Sequence, residues 1–562
     1  MTVSDAAAPR RTKVLGPILR RRIRWRPSRL AGFGFCLLMT LIGLAFWSQG
    51  PWAWWLASVG GVLCLVGVGD LMQPKHSLLR NYPVLAHLRW LAELVRPELR
   101  QYLFEADEEA APFSRSQRTL VYMRAKGEVG ERAFGTLRDV YRDGYEFMGH
   151  STRPAPVPDP ETFRITVGGP QCAKPYSASV LNISAMSFGS LSANAIRALN
   201  SGAAKGGFYH DTGEGSISPY HREAGGDIVW ELGSGYFGCR DEDGRFDAEK
   251  FAAQARTDQV KMIEIKLSQG AKPGHGGVLP APKVTQEISE TRGVPMGRDC
   301  ISPSGHSAFS TPREMMTFIS LLRERSGGKP VGFKLCVGLP WEFMGIVKAM
   351  LETGIRPDFI VVDGSEGGTG AAPTEFSDHM GAPMREGLLF VHNALVGAGV
   401  RDTIKIGAAG RVVSAFDMAS ALALGADWIN SARGFMFALG CVQSLSCNTN
   451  HCPTGVATQD AGRQRALVVT DKSERVANFH RLTVSALAEM LAAAGLQHPD
   501  QLTPFHMIRR VSSTEIRPFA VLHTFLQPGS LLDGQCPEAM YRDNWARASA
   551  DSFEGRPRQE TA

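Results

Sequence analysis

Residues Asp358–Gly370 read DFIVVDGSEGGTG. Four apolar residues, two of them β-branched valines, sit between two aspartates, and a glycine-rich run follows at once. The apolar core reads as a buried strand, and the glycines as a tight loop at its C-terminal end. Ile404–Arg411, IKIGAAGR, repeats the arrangement. Working outward, further short apolar runs predict strands at Val180–Met186, Gly207–Asp211, Lys261–Lys266, Val331–Val337 and Trp428–Ser431. Helical periodicity falls between them, at 191–204, 311–326, 341–353, 386–398 and 414–424. Strands alternating with helices call for a parallel sheet. Six to eight such units over about 290 residues suit a (β/α)8 TIM barrel with insertions, and a doubly wound sheet is the competing arrangement. The stretch 216–247 is too long for a simple loop and has room for extra strands.

The chain has 562 residues, 44% of them apolar and 21% charged, which excludes a disordered or collagen-like protein. Its net charge of +6 is concentrated at one end, because residues 1–30 hold nine Arg and Lys against Asp5 alone. The body is therefore slightly acidic, and nucleic acid is not an expected partner.

No charged residue occurs from Leu30 to Gly69, where two apolar stretches, 31–48 and 52–69, flank Gln49-Gly50-Pro51. Each is about long enough to cross a bilayer. Trp47, Trp52, Trp54 and Trp55 cluster at the break, and arginines and lysines flank only the outer ends. This pattern predicts a transmembrane helical hairpin with both termini cytoplasmic, in contact with membrane lipid at the inner (cytoplasmic) membrane. A cleaved signal peptide does not account for the second stretch. The predicted organisation is a basic tail (1–29), two transmembrane helices (30–70), a polar helical segment and proline-rich linker (71–160), the barrel (161–465), and a C-terminal helix and tail (466–562).

Three groups of residues suggest chemistry. The glycine segments after the two strands quoted first stand where barrels commonly bind phosphate, although two tight turns read the same way. The loop Lys266–Gly277, KLSQGAKPGHGG, carries polar side chains among glycines. There Lys272, with the nearby Arg292, suits a dicarboxylate, against the plainer reading of surface charge. Cys441, Cys447 and Cys452 have the spacing C-x5-C-x4-C. They fit an iron–sulfur cluster or zinc, or reduced thiols packed in a loop.

The stretches SAMSFGSLS (184–192), TGEG (212–215), 266–277, GGTG (367–370) and Cys441 through CPTGVATQ (452–459) occur in one order over half the chain. Together they resemble the FMN-binding synthase domain of glutamate synthase. The N-terminal hairpin resembles the stand-alone, membrane-tethered members of that family. The resemblance implies a (β/α)8 barrel holding FMN, with a [3Fe–4S] cluster on Cys441, Cys447 and Cys452. It implies that Met186, Ser187, Gly189 and Thr212 approach the flavin and that Lys334 lies at its pyrimidine edge. It implies that Gly367, Gly368, Thr369, Gly407, Gly410 and Arg411 cradle the phosphate. Lys272 and Arg292 would hold 2-oxoglutarate, or a related keto or amino acid, with Lys266 near the reacting carbon. The reaction implied is reductive amination to glutamate. Asp211, His275 and Val278 depart from the family pattern. The resemblance covers no glutaminase or dinucleotide-binding domain. A separate ammonia source, such as a glutaminase, and a separate electron donor (ferredoxin, a reductase subunit or a quinone) are therefore expected. Oxidation of another amino acid or amine, coupled to a membrane electron carrier, is the second expected reading.

Overall fold

The computed structural model describes residues 29–109 and 111–556, so the basic tail lies, except for Arg29, outside the described residues. The chain divides into two compact units, Met1–Ala106 and Asp107–Ala562.

In the first unit, helix α1 (Ala31–Ala45) and helix α2 (Pro51–Met72) pack antiparallel. Small residues let the backbones meet: a Cβ on Gly43 would lie 2.3 Å from the Ala57 nitrogen, and one on Gly60 would lie 2.7 Å from the Thr40 hydroxyl. The first apolar stretch yields a shorter helix than its length suggested. A 3-10 turn at Trp47–Gln49 and Gly50, at φ 116°, take up its end. Among the described residues, α2 is long and apolar enough to cross a membrane, while α1 has 15 residues. Two further helices follow, α3 (Ser77–Asn81) and α4 (His87–Leu99).

The second unit is built on a closed barrel of eight parallel strands. These are β1 (Leu181–Ile183), β2 (His210–Asp211), β3 (Ile228–Leu232), β4 (Val260–Lys266), β5 (Val331–Leu335), β6 (Phe359–Asp363), β7 (Lys405–Ala409) and β8 (Trp428–Ser431). Each pairs with the next, and β8 returns to β1. The TIM barrel is therefore present, and the doubly wound alternative is not. Seven strands coincide with expected runs. The eighth, β3, lies inside the supposed insertion 216–247. Its sequence IVWEL carries an acid, and two glycine-rich turns surround it, so its apolar run is too short to stand out.

Alternation along the strands divides inside from outside. Outward residues such as Ile183, Ile263, Phe333 and Ile406 pack under the helical ring. Inward residues Tyr209, Val229, Met262, Phe359, Val361 and Trp428 form a separate lower core with Val167, Tyr176 and Ala178. The last three belong to the antiparallel hairpin Arg164–Val167/Tyr176–Ser179, which plugs the N-terminal end. The C-terminal mouth is thereby the open end. The long helix Val469–Ala493 buries Val476, Phe479, Val484 and Leu487, much as its pattern over 471–494 predicts.

Candidate functional site

The four mouth loops that follow β1, β2, β4 and β6 carry expected binding residues and meet one another. After β1, Met186, Ser187 and Gly189 lie on a loop that approaches the loop after β2. A Cβ on Gly213, at φ +63°, would stand 2.7 Å from the Ser187 nitrogen. Only glycine fits there, because both the space and the left-handed conformation exclude a side chain. Thr212 is fully buried, and its hydroxyl accepts from the Glu231 N–H at 3.2 Å and donates to the Gly213 carbonyl.

Glu214, on the loop after β2, is the centre of the second group. Lys266, the last residue of β4, approaches it at 3.3 Å and donates to Gln269 at 2.6 Å. Burial opposes the Glu214 charge, but Lys266, Arg292 and Lys272 outweigh it and hold the carboxyl below its usual range. Arg292 ends the helix Gln286–Arg292, donates to the Phe188 carbonyl at 2.8 Å, and keeps a buried Nε without a partner. Lys272 donates to the Ala371 carbonyl at 2.9 Å, and burial, then Lys266, lowers its pKa. The three expected cations thus converge, and a carboxylate that sequence reasoning gave no role joins them. Its signal was its place in the TGEG run.

Below this, inside the barrel, Asp211, Glu231 and Glu264 bring one oxygen each within 4.8 Å of one another. Lys334, on β5, is ion-paired with Glu231 and lies 3.5 Å from Glu264. All four are buried. Burial works against the Lys334 charge, but Glu231, Glu264, Asp211 and Asp363 keep it protonated well above its ordinary range. Burial and then neighbouring carboxylates raise Asp211 and Glu264. The lysine was expected, but its carboxylate setting was not, since an acid inside an apolar strand carries no local signal.

Gly367, Gly368 and Thr369 follow β6, and Gly410 and Arg411 follow β7. Gly407 is placed differently. It lies mid-strand, where a Cβ would stand 2.7 Å from the Trp428 indole, so its missing side chain makes room for the lower core. Arg433, after β8, takes a place by the loop after β6. It donates to the Glu366 carbonyl at 2.6 Å and lies 2.9 Å from a Cβ built on Gly368. Burial, then the neighbouring Arg411, pushes its guanidinium down to about 10. Arg411 itself has φ +50°, an uncommon conformation for a side-chain-bearing residue. Two neighbouring cations beside bare glycine backbone are a donor set that could hold an anion.

Cys441, Cys447 and Cys452 lie on the loop after helix Arg433–Leu439. Burial pushes Cys441 up to about 12, with Cys447 and Cys452 adding to the rise. Burial also raises Cys447. For Cys452, hydrogen bonds from the Thr454 hydroxyl and the backbone at Ala457, Thr454 and Val456 outweigh burial and lower it. Gln443, Leu445 and Asn450 all have left-handed φ, at 57°, 56° and 66°. These residues turn the loop sharply between Cys441 and Cys452. It also grips the loop after β1: Gln459 donates to the Gly189 and Leu191 carbonyls at 2.9 Å, and Val456 accepts from the Ser192 N–H. Lys283, close to Cys447 and Cys452, donates to the Ser190 carbonyl at 3.0 Å.

A family profile described as the conserved region in glutamate synthase matches residues 170–497. The glutamate synthase large subunit-like protein YerD of Bacillus subtilis is 38% identical over 483 residues, 79% of this chain and 91% of that protein. The archaeal-type glutamate synthase (NADPH) of Thermotoga neapolitana is 34% identical over 319 residues, 57% of this chain and 60% of its own length. The archaeal glutamate synthase (NADPH) of Methanocaldococcus jannaschii is 34% identical over 323 residues, with the same two shares. The chain thus spans nearly all of the first relative and about three-fifths of the other two.

Proposed function

Because the chain belongs to the glutamate synthase family, we propose that it is an oxidoreductase that aminates 2-oxoglutarate reductively to glutamate at the barrel mouth. The observation that carries this reading is the charge at Glu214. Three cations, Lys266, Lys272 and Arg292, face one carboxylate. The surplus of two positive charges suits a dicarboxylate. A cationic amine entering the same place meets repulsion, which counts against amine oxidation. Glu214, held ionised by Lys266, Arg292 and Lys272, fixes these cations in place, and the oxygen lost from the keto carbon as ammonia adds leaves as water. Lys266 and Arg292 orient the substrate, and Lys272 reaches across from the loop after β4 to that after β6.

The donor sets fit the two cofactors implied. The Arg411–Arg433 pair with Gly367, Gly368, Thr369 and Gly410 suits the phosphate of FMN. Met186, Ser187, Gly189 and Thr212 line the adjoining mouth, with Lys334 beneath. The three thiols of this one loop, one of them hydrogen-bonded with the Thr454 hydroxyl, suit a [3Fe–4S] cluster. Bound there, FMN would supply the hydride and the cluster the electrons, while the chain's own groups bind, orient and exclude water. The loop contacts of Gln459, Val456 and Lys283 hold the thiol loop against the flavin side of the mouth. Ammonia and electrons come from separate partners in this reading, the electrons from ferredoxin, a reductase subunit or a quinone.

The exposed leucines and tryptophans around α1 and α2 support anchorage at the cytoplasmic membrane, with the barrel in the cytoplasm. For the reaction, the test is anaerobic. Photoreduced protein is mixed with 2-oxoglutarate and ammonium, and flavin absorbance and glutamate are followed. Reoxidation with stoichiometric glutamate is expected, and Lys272→Met should raise KM at unchanged flavin content. A flavin that stays reduced refutes the substrate.

A further inference from the structure

Helix α4, His87–Leu99, has 13 residues, none of them buried, and contains Pro97. A helix this short is marginal in water without a packed face. Its residues nevertheless divide by face. Leu88, Leu91, Val95 and Leu99 fall on one side, at i, i+3, i+7 and i+11, with Leu94 beside them, while Arg89, Glu93 and Arg96 share the opposite side; Glu98, in the last turn, is the one acid within the apolar stripe. Leu88 is 62% exposed, Leu91 57% and Leu94 74%. The chain then runs into Tyr102, Leu103 and Phe104, which are also exposed.

What covers this face is indicated by how α4 is attached. Asp70, buried in the last turn of α2, accepts from the Val84 N–H at 2.9 Å and bonds His87 Nε2 at 2.8 Å. His87 is the first residue of α4. The same contact fixes Val84 at φ 65°, an unusual conformation for a β-branched residue. The start of α4 is therefore latched to the level at which α2 ends. If α2 spans a bilayer, that level is the headgroup layer. Charge agrees: residues 75–100 carry Lys75, Arg80, Arg89, Arg96 and Arg100 against Glu93 and Glu98, a cationic balance that suits anionic lipid.

From the latch and the uncovered apolar stripe, we propose that α4 lies in the lipid headgroup layer beside the end of α2, its leucine face toward the acyl chains. The proposal rests on the membrane anchorage above. Its test uses the full chain reconstituted in vesicles of phosphatidylcholine and phosphatidylglycerol. Nitroxide labels are placed at Leu91→Cys, Val95→Cys and Glu93→Cys, with the unmodified chain as background. Labels at 91 and 95 should collide with oxygen and escape a water-soluble nickel chelate, and the label at 93 should do the reverse. Access of the chelate to all three positions overturns the proposal. So does shielding of 91 and 95 from both reagents, which would mean that a protein surface covers the stripe. Retention after an alkaline wash is measured on the same vesicles. A chain that washes off has lost the anchorage reading as well, whereas a retained chain with a water-exposed stripe has lost only α4.

Discussion

Replacing Lys334 by methionine isolates the electrostatics of the barrel interior. Its ammonium lies 3.5 Å from Glu264 and is ion-paired with Glu231, all three groups being almost wholly buried. At an effective dielectric of about 20, a unit pair at 3.5 Å is worth about 5 kcal/mol. Desolvation offsets much of that in the native protein, but removing only the cation leaves the carboxylates uncompensated, at a cost of about 3–5 kcal/mol. Asp211 and Glu264 have raised pKa values. The fold therefore keeps protons on them that the unfolded chain releases above about pH 4, and their contribution to stability falls as pH rises toward the folded values. Without Lys334 this fall steepens. The Lys334→Met penalty is thus larger at pH 8 than at pH 5.5, where the carboxylates take up protons more readily. Adding Glu231→Gln should recover at least about 2 kcal/mol as coupling. Urea denaturation of the detergent-purified full chain, followed by near-ultraviolet circular dichroism, reads these changes. A penalty below about 0.5 kcal/mol at pH 8, typical of a surface site, refutes the reasoning, as does one that grows on acidification.

Gly213→Ala should cost about 2 kcal/mol or more and reduce flavin content, because the new Cβ meets the Ser187 nitrogen at a left-handed φ; full flavin content in a stable variant contradicts the flavin contact proposed for the loop after β1. Cys447→Ser should remove the iron while sparing flavin, since the phosphate loops are separate from Cys441–Cys452; unchanged iron in metal analysis sinks the ligand assignment. Burial lowers the Lys272 pKa, so KM for a dicarboxylate should begin to rise at a lower pH than for an ordinary lysine. Lys272→Arg, permanently charged, should abolish that alkaline limb in steady-state profiles, and an identical limb in both proteins rules out Lys272 as its source.

How much of this was legible in the sequence depended on the range of the interaction. Seven barrel strands announced themselves because their apolar runs and following glycines are local. Strand β3 did not, since Glu231 and the turns around it break the run, and its burial is decided only by neighbours on β2 and β4. The cations of the mouth were legible through their loops, and Glu214 only through its motif. Arg433 was not, because nothing in its own neighbourhood points toward Gly368. Gly407 shows the opposite limit. Its place in a glycine segment suggests a phosphate contact, but a strand's two-residue period turns it inward, against Trp428.

The barrel interior is layered along its axis, and the layers bear on why the proposed site lies at the mouth rather than in the lumen. At the bottom, Trp428, Tyr209 and Phe359 close the lumen with apolar bulk. Above them stand Asp211, Glu231 and Glu264 around a single lysine, which is ion-paired with Glu231, while burial raises the pKa values of Asp211 and Glu264. At the rim, Lys266, Lys272 and Arg292 outnumber Glu214, and Arg411 and Arg433 lie across the mouth. On the proposed reading, an anion is drawn to the rim, where the loops can hold it, and meets no comparable positive surplus in the layer beneath. The same carboxylates keep Lys334 charged within the lumen. Neutralising the rim would remove that attraction, and the ion-paired lysine and apolar floor below would offer an anion nothing in exchange.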